Sequence, residues 1–293
     1  VLEKLRTDGH HYRCYPGKAT SRYIMTAKRG IEFFDLNGDD HSRNNWLRST
    51  CTIGVTPANG LIYNPPHSCG CYVEAQLFGF WALAAKRQTP AGRLLTKDRL
   101  QKGPAYGRFG YPKSEHTTPC WATYRGNAER GASCADSLPA RLGTKWTAKL
   151  GGKLAAVTAD RGRVFAVSKG TQTLYGLSIE TGQVVWQFDT VGGIDSPPTY
   201  VAAQDSLLLG TRDGYVHCLR ASDGALAWRF LAAPERLHTV AFGQLESVWP
   251  VHGSILIVND VAYCTAGRST MLDGGLRLYR LDQRGFPRRW YTI

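Results

Sequence analysis

Three short stretches concentrate side chains able to move protons or hold ligands. The first, GHHYRCYPGKATSRY (9–23), brings together His10, His11, Arg13, Tyr15, Lys18, Arg22 and Tyr23. If HYRCY is extended, His11, Arg13 and Tyr15 fall on one face, because strand side chains alternate with period two. β-Elimination on a uronic-acid polymer needs such a set. A cation neutralises the carboxylate and steadies the enolate-like intermediate, while a Tyr or His takes the proton. The competing reading is a basic strand and loop at a sheet edge, solvated and without chemistry.

The second stretch, PPHSCGCY (65–72), spaces His67, Cys69 and Cys71 at alternate positions. In a strand the three would share a face, a soft-metal chelate with a fourth ligand such as Cys51. The alternative is that these thiols are buried or disulfide-bonded, since cysteine is among the most buried residue types. The third, FGQLESVWPVHGS (242–254), offers Glu246, Trp249 and His252. A carboxylate, an aromatic platform and an imidazole so close together suit sugar binding or acid/base work. Packing of the Trp in a loop is the simpler account.

What must position these groups is written in a repeat. YGLSIETGQVVWQF (175–188) is echoed 42 residues later by HCLRASDGALAWRF (217–230). Each copy is an apolar, β-prone run, a turn at Gly182 or Gly224, and a second run, which is the pattern of a hairpin. RVFAVS (163–168) and SLLLGT (206–211) supply another strand before each hairpin. Trp146, Trp186 and Trp228 are 40 and 42 residues apart, the length of four short strands with their turns. That period means blades of a β-propeller. A third, altered copy ends at Trp290, 62 residues beyond Trp228. The surplus length falls in the insert that carries Glu246 and His252, and insertions on a regular scaffold are where function tends to sit.

The hairpins LSIETGQVVW and LRASDGALAW resemble the repeat of the quinoprotein-like β-propellers, the family of PQQ-dependent dehydrogenases and BamB-type assembly lipoproteins. The resemblance covers roughly 141–293. It implies an all-β fold of four-stranded antiparallel blades, with Trp146, Trp186, Trp228 and Trp290 as structural docking residues between blades. It also implies an exported, periplasmic protein and, in the dehydrogenase branch, PQQ covered by a ring of vicinal cysteines beside a calcium site. This chain has no adjacent cysteines, Cys69 and Cys71 being the nearest approach, so PQQ is not supported.

Residues 1–85 are expected to be the end of a first propeller with irregular blades, with strands around Lys28–Arg29–Gly30 and Asn59–Gly60. Residues 86–120, basic and rich in Pro and Gly, are read as a linker, and 121–293 as the start of a second propeller. A closed propeller takes about four to eight blades, and three clear repeats follow the linker. The arrangement resembles large bacterial tandem-propeller proteins and is expected to be a fragment of a larger chain. The net charge of +13 favours anionic partners. Nucleic acid is disfavoured, as no helix-turn-helix, zinc-finger or RNA-recognition motif is present. The eight scattered cysteines do not form a disulfide scaffold, and no apolar run is long enough to be a membrane-spanning helix. The expected function is a non-catalytic scaffold binding protein or anionic glycan through blade-face loops. A polysaccharide lyase and a PQQ-dependent oxidoreductase are the alternatives.

Overall fold

The computed structural model describes residues 14–27, 30–44, 47–66, 70–71, 79–85, 99–109, 121–134, 137, 139–241, 243–270, 273–282, 284–285 and 287–292. They belong to two compact units, one of Val1–Pro90 with Ala241–Gln244, the other of Ala91–Val240 with Leu245–Ile293.

The first unit holds two antiparallel meanders. One runs β1 (Lys18–Ala19), β2 (Tyr23–Ala27), β3 (Ile31–Asp35) and β4 (Ser42–Asn44) in sequence order; the other runs β5 (Thr56–Ala58), β6 (Leu61–Asn64) and β7 (Trp81–Ala84). The β5–β6 turn is the expected Asn59–Gly60, with φ of 52° and 74°. Two successive left-handed residues make the tight hairpin whose twist matches its strands.

The second unit contains three blades and opens with β8 (Leu100–Lys102). Blade 1 is β9 (Thr158–Asp160), β10 (Arg163–Ser168), β11 (Thr173–Ser178) and β12 (Val184–Asp189). Blade 2 is β13 (Thr199–Val201), β14 (Ser206–Gly210), β15 (Tyr215–Arg220) and β16 (Leu226–Leu231). A two-stranded ribbon follows, β17 (His238–Ala241) with β18 (Gln244–Ser247). Blade 3 is β19 (Leu256–Val258), β20 (Val261–Ala266), β21 (Arg277–Leu281) and β22 (Pro287–Thr292). In all three the strands are antiparallel and pair in sequence order, so the repeated hairpins read from sequence are the outer halves of real blades. The repetition extends to irregularity, because a register shift falls just after the residue facing the motif tryptophan in blades 1 and 2, and one residue later in blade 3. Such bulges increase local twist, which a stacked blade needs.

Within the stretch read as a linker, Leu100–Lys102 is a fifth strand on blade 2, pairing with Phe230, Arg229 and Trp228. Composition could not show this, since a basic, Gly- and Pro-rich segment of three paired residues has no periodicity.

Apolar side chains meet between blades. Phe165, Leu174, Trp186, Tyr200, Leu207 and Leu219 form the cluster joining blades 1 and 2. Trp228, Phe230, Tyr279, Cys264 and Leu281 belong to the one joining blades 2 and 3. The tryptophans share a geometry. The Trp146 ring lies on Gly182 and its indole N–H donates to the Ile179 carbonyl at 2.8 Å. The Trp186 ring is sandwiched between Gly176 of its own blade and Gly224 of the next, with its N–H on the Ala221 carbonyl at 3.0 Å. Trp228 lies on Gly285. A Cβ at Gly224 would stand 2.5 Å from the Trp186 ring, and φ of +72° already favours glycine there. Trp290 lies opposite Tyr279 on the last strand.

His217 on β15 is buried, with Nε2 3.2 Å from the Thr211 hydroxyl. Burial pushes its pKa down to about 4, Arg229 adding to the effect and Asp213 opposing it. An unfolded chain therefore takes up this proton near the ordinary value of 6.5, while the folded chain resists, so stability falls as pH drops from there to about 4. The loss expected from this residue is on the order of 3 kcal/mol. Urea midpoints at pH 7 and pH 4.5 should converge in His217→Gln relative to the parent protein, and an unchanged difference would show that the acid sensitivity arises elsewhere.

Candidate functional site

In an up-and-down blade, the turn between the second and third strands and the connection to the next blade emerge at the same end. In the second unit this end carries Asp195 between β12 and β13, Arg212 between β14 and β15, Glu246 and His252 in the insert before β19, and Arg268 between β20 and β21. These five side chains form one connected polar network. Arg212 makes two hydrogen bonds to Asp195, Nε to Oδ2 at 2.8 Å and Nη2 to Oδ1 at 2.7 Å. His252 Nδ1 lies 2.8 Å from the same Oδ2. Glu246, whose side chain is fully buried, has Arg268 Nη2 at 2.7 Å and Arg212 Nε at 3.9 Å. One backbone bond and one side-chain bond fix the register, Ser247 N–H donating to Arg212 O at 2.8 Å and Arg268 Nη2 to Ser247 O at 3.3 Å.

The electrostatics follow from this packing. Burial disfavours the Asp195 anion, but hydrogen bonds from His252 and Arg212 outweigh it and hold the carboxyl well below the usual carboxylate range. Asp195 is thus a fixed anion, neutralised bidentately in the strongest ion-pair geometry available to arginine. His252, about a third exposed, is the member of the network most open to a ligand.

The structure brings Glu246 and His252 into one network but does not leave Glu246 facing solvent, and Trp249 is not a platform. Its side chain is buried and its N–H donates to the Asp273 carbonyl at 3.0 Å. Tyr15 also departs from expectation. It is packed in the core of the first unit against Gly54, donates to the Gly30 carbonyl at 2.9 Å, and burial pushes its phenol well above the ordinary value. A phenol so held does not serve as a proton acceptor. His11, Arg13, His67 and Cys69 lie outside the described residues, while Cys71 is half-buried. Among the described residues no group of three or more His, Cys, Asp or Glu stands close enough to hold a metal ion. Cys218 and Cys264 are core thiols that burial pushes up to about 12.

Among the described residues, two of the loop-end carboxylates, Asp195 and Glu246, are each taken by an arginine, and Cys218 and Cys264 sit buried on strands of different blades, an arrangement that does not fit PQQ with calcium.

Sequence reasoning missed Asp195, Arg212 and Arg268. A signal existed for the arginines, because each stands two residues beyond the second strand of its blade, Gly210-Thr211-Arg212 matching Ala266-Gly267-Arg268. Asp195 has no such cue, being one polar residue in a Gly- and Pro-rich connection.

Residues 143–287 match the family model described as outer membrane protein assembly factor BamB. Similar solved structures include quinohemoprotein alcohol dehydrogenase ADHIIG from Pseudomonas putida HK5, at 14% identity over 59% of this chain and 26% of that one, with a TM-score of 0.47. Another is the quinohemoprotein alcohol dehydrogenase from Comamonas testosteroni, at 16% identity, 60% and 27% coverage, and a TM-score of 0.46. BamB from Moraxella catarrhalis aligns at 14% identity over 99% of this chain and 63% of its own, with a TM-score of 0.35. The chain spans about a quarter of the length of these dehydrogenases and less than two thirds of that BamB. No curated protein matches it. On the family match and the three repeated blades, residues 143–287 belong to the PQQ-like, BamB-type β-propeller repeat family.

Proposed function

We propose that the chain is a non-catalytic scaffold and binding segment of a larger exported protein, and that its blade-face loops hold a protein or an anionic polysaccharide. The observation that carries this reading is the neutralised network. Asp195 and Glu246 are locked on arginines, which sets the loops in one shape, while His252 stands at the exposed end with a polar ring. A general acid or base needs a proton to exchange near working pH, and Asp195 is held ionised far from that condition. The net charge of +13 supports an anionic partner through long-range attraction. The description of the matching family as an outer membrane protein assembly factor supports a protein partner and an exported location.

The test separates binding from turnover. Purified protein passed over immobilised acidic polysaccharides should be retained at low salt and released as salt rises, with no growth in ultraviolet absorbance from an unsaturated sugar. His252→Ala should weaken retention about threefold, the size expected of one lost contact at a wet interface. A rise in absorbance would make the protein a lyase and overturn the reading. Absence of retention would shift the search to a protein partner.

A further inference from the structure

We propose that the outer edge of blade 1, strand β12, is a separate docking site at which an extended, arginine-bearing segment of a partner protein adds as a fifth strand.

Blade 2 shows what such an edge accepts. Its outer strand, β16, is covered by β8 from the same chain, and Gly103 N–H donates to Ala227 O at 2.8 Å while Ala105 N–H donates to Leu226 O at 3.0 Å. Arg99 anchors the added strand. Its guanidinium lies over the rings of Phe230 and Tyr279, 4.9 and 5.1 Å from their centroids. It donates to the carbonyls of Leu231 and Ala232 at 2.7 and 2.8 Å and to the Tyr279 hydroxyl at 2.7 Å. A buried cation with that many partners is a specific anchor rather than a surface charge.

Strand β12 is the same strand one repeat earlier. Val185 corresponds to Ala227, Gln187 to Arg229, Phe188 to Phe230 and Asp189 to Leu231, each 42 residues apart. Among the described residues no strand pairs with its outer side. Val184 and Val185 are 46% and 62% exposed, whereas Ala227 is fully buried under its added strand. Two adjacent exposed valines on an open edge form a template for strand addition, which edge strands ordinarily avoid. The charge at the anchor position defines the occupant. At the position where the Leu231 backbone carbonyl accepts from Arg99 on blade 2, blade 1 has Asp189, an exposed residue whose Oδ1 accepts from the Thr173 hydroxyl at 2.7 Å, on a chain of strongly positive net charge. An arginine next to an apolar, extended run matches that edge. A second copy of the chain does not, because its own strand of this type is already held on blade 2 by Arg99. The site is independent of the loop-end network and of the function proposed for it.

The direction of the backbone groups gives a clean test. Arg229 pairs with Gln101 of β8, in register with the bond from Gly103 N–H to Ala227 O, so its backbone groups face the added strand, and at the corresponding Gln187, beyond the bulge, the N–H points away from β11. Gln187→Pro therefore removes an outward donor while leaving the blade's own ladder intact. The probe is a fluorescein-labelled peptide RLQKGPAYGRF, the sequence of residues 99–109, titrated with the full chain and followed by anisotropy. The expected result is saturable binding that weakens about tenfold or more in Gln187→Pro, less than about twofold in Gln187→Ala, and about threefold in Asp189→Asn. If Gln187→Pro proves poorly folded, Val185→Lys makes the same test by placing a charge on the open edge. Binding that is indifferent to these variants would place the peptide elsewhere, for example on blade 2 by displacement of β8, and would overturn the proposal. So would absence of saturable binding. A dimer of the parent chain abolished by Gln187→Pro would also overturn it, by naming a second copy as the occupant.

Discussion

Trp228→Ala should lower the unfolding free energy by about 3–5 kcal/mol, the range for deleting a large aromatic from a packed core. The residue is 1% exposed and its ring fills the junction between blades 2 and 3, against Gly285 and Leu100, in a cluster with Phe230, Cys264 and Tyr279. The surroundings have little means to close the gap. Gly285 sits on the ring at φ of +82° and cannot move inward without losing its turn. Trp228→Phe keeps part of the contact and should lose less. Equilibrium urea unfolding followed by near-ultraviolet circular dichroism would check this, and a cost below about 1 kcal/mol, the level of an ordinary surface change, would mean the ring is not a blade-docking residue.

The second large effect is expected at Arg268. Its guanidinium is the nearest cation to the fully buried Glu246 carboxylate, at 2.7 Å, while Arg212 stands at 3.9 Å and already serves Asp195. Arg268→Met should cost about 3–5 kcal/mol, because removing one partner of a buried pair leaves an uncompensated charge. The double variant Arg268→Met with Glu246→Leu should recover most of that loss, since an apolar pair of similar volume avoids burying any charge. Denaturation midpoints of the two single variants and the double complete the cycle. A double variant no more stable than Arg268→Met would show that the network contributes through shape, not through charge pairing.

The blades were legible because they depend on local pattern. Alternating apolar runs, single glycines in turns and tryptophans at a 40–42 residue period are properties of the chain itself, and each repeat is one unit that must bury its faces on neighbours. The tight Asn59–Gly60 turn was readable for the same reason, as the backbone it needs is one that few residue types adopt. The candidate site was only half legible. Glu246 and His252 drew notice as polar residues in an insert, but their partners Asp195, Arg212 and Arg268 come from three other connections up to 57 residues away. Tyr15 misled, because a polar neighbourhood in sequence says nothing about which of its members faces the core.

By itself, then, the sequence determined that this chain builds antiparallel blades of a known repeat type, since hydrophobic periodicity and turn chemistry act over a few residues. Tertiary structure alone decided that five polar side chains from four connections meet at one end of the blades. It alone decided, too, that a segment without periodicity becomes a fifth strand, because both depend on which distant backbones the packing brings within hydrogen-bond reach.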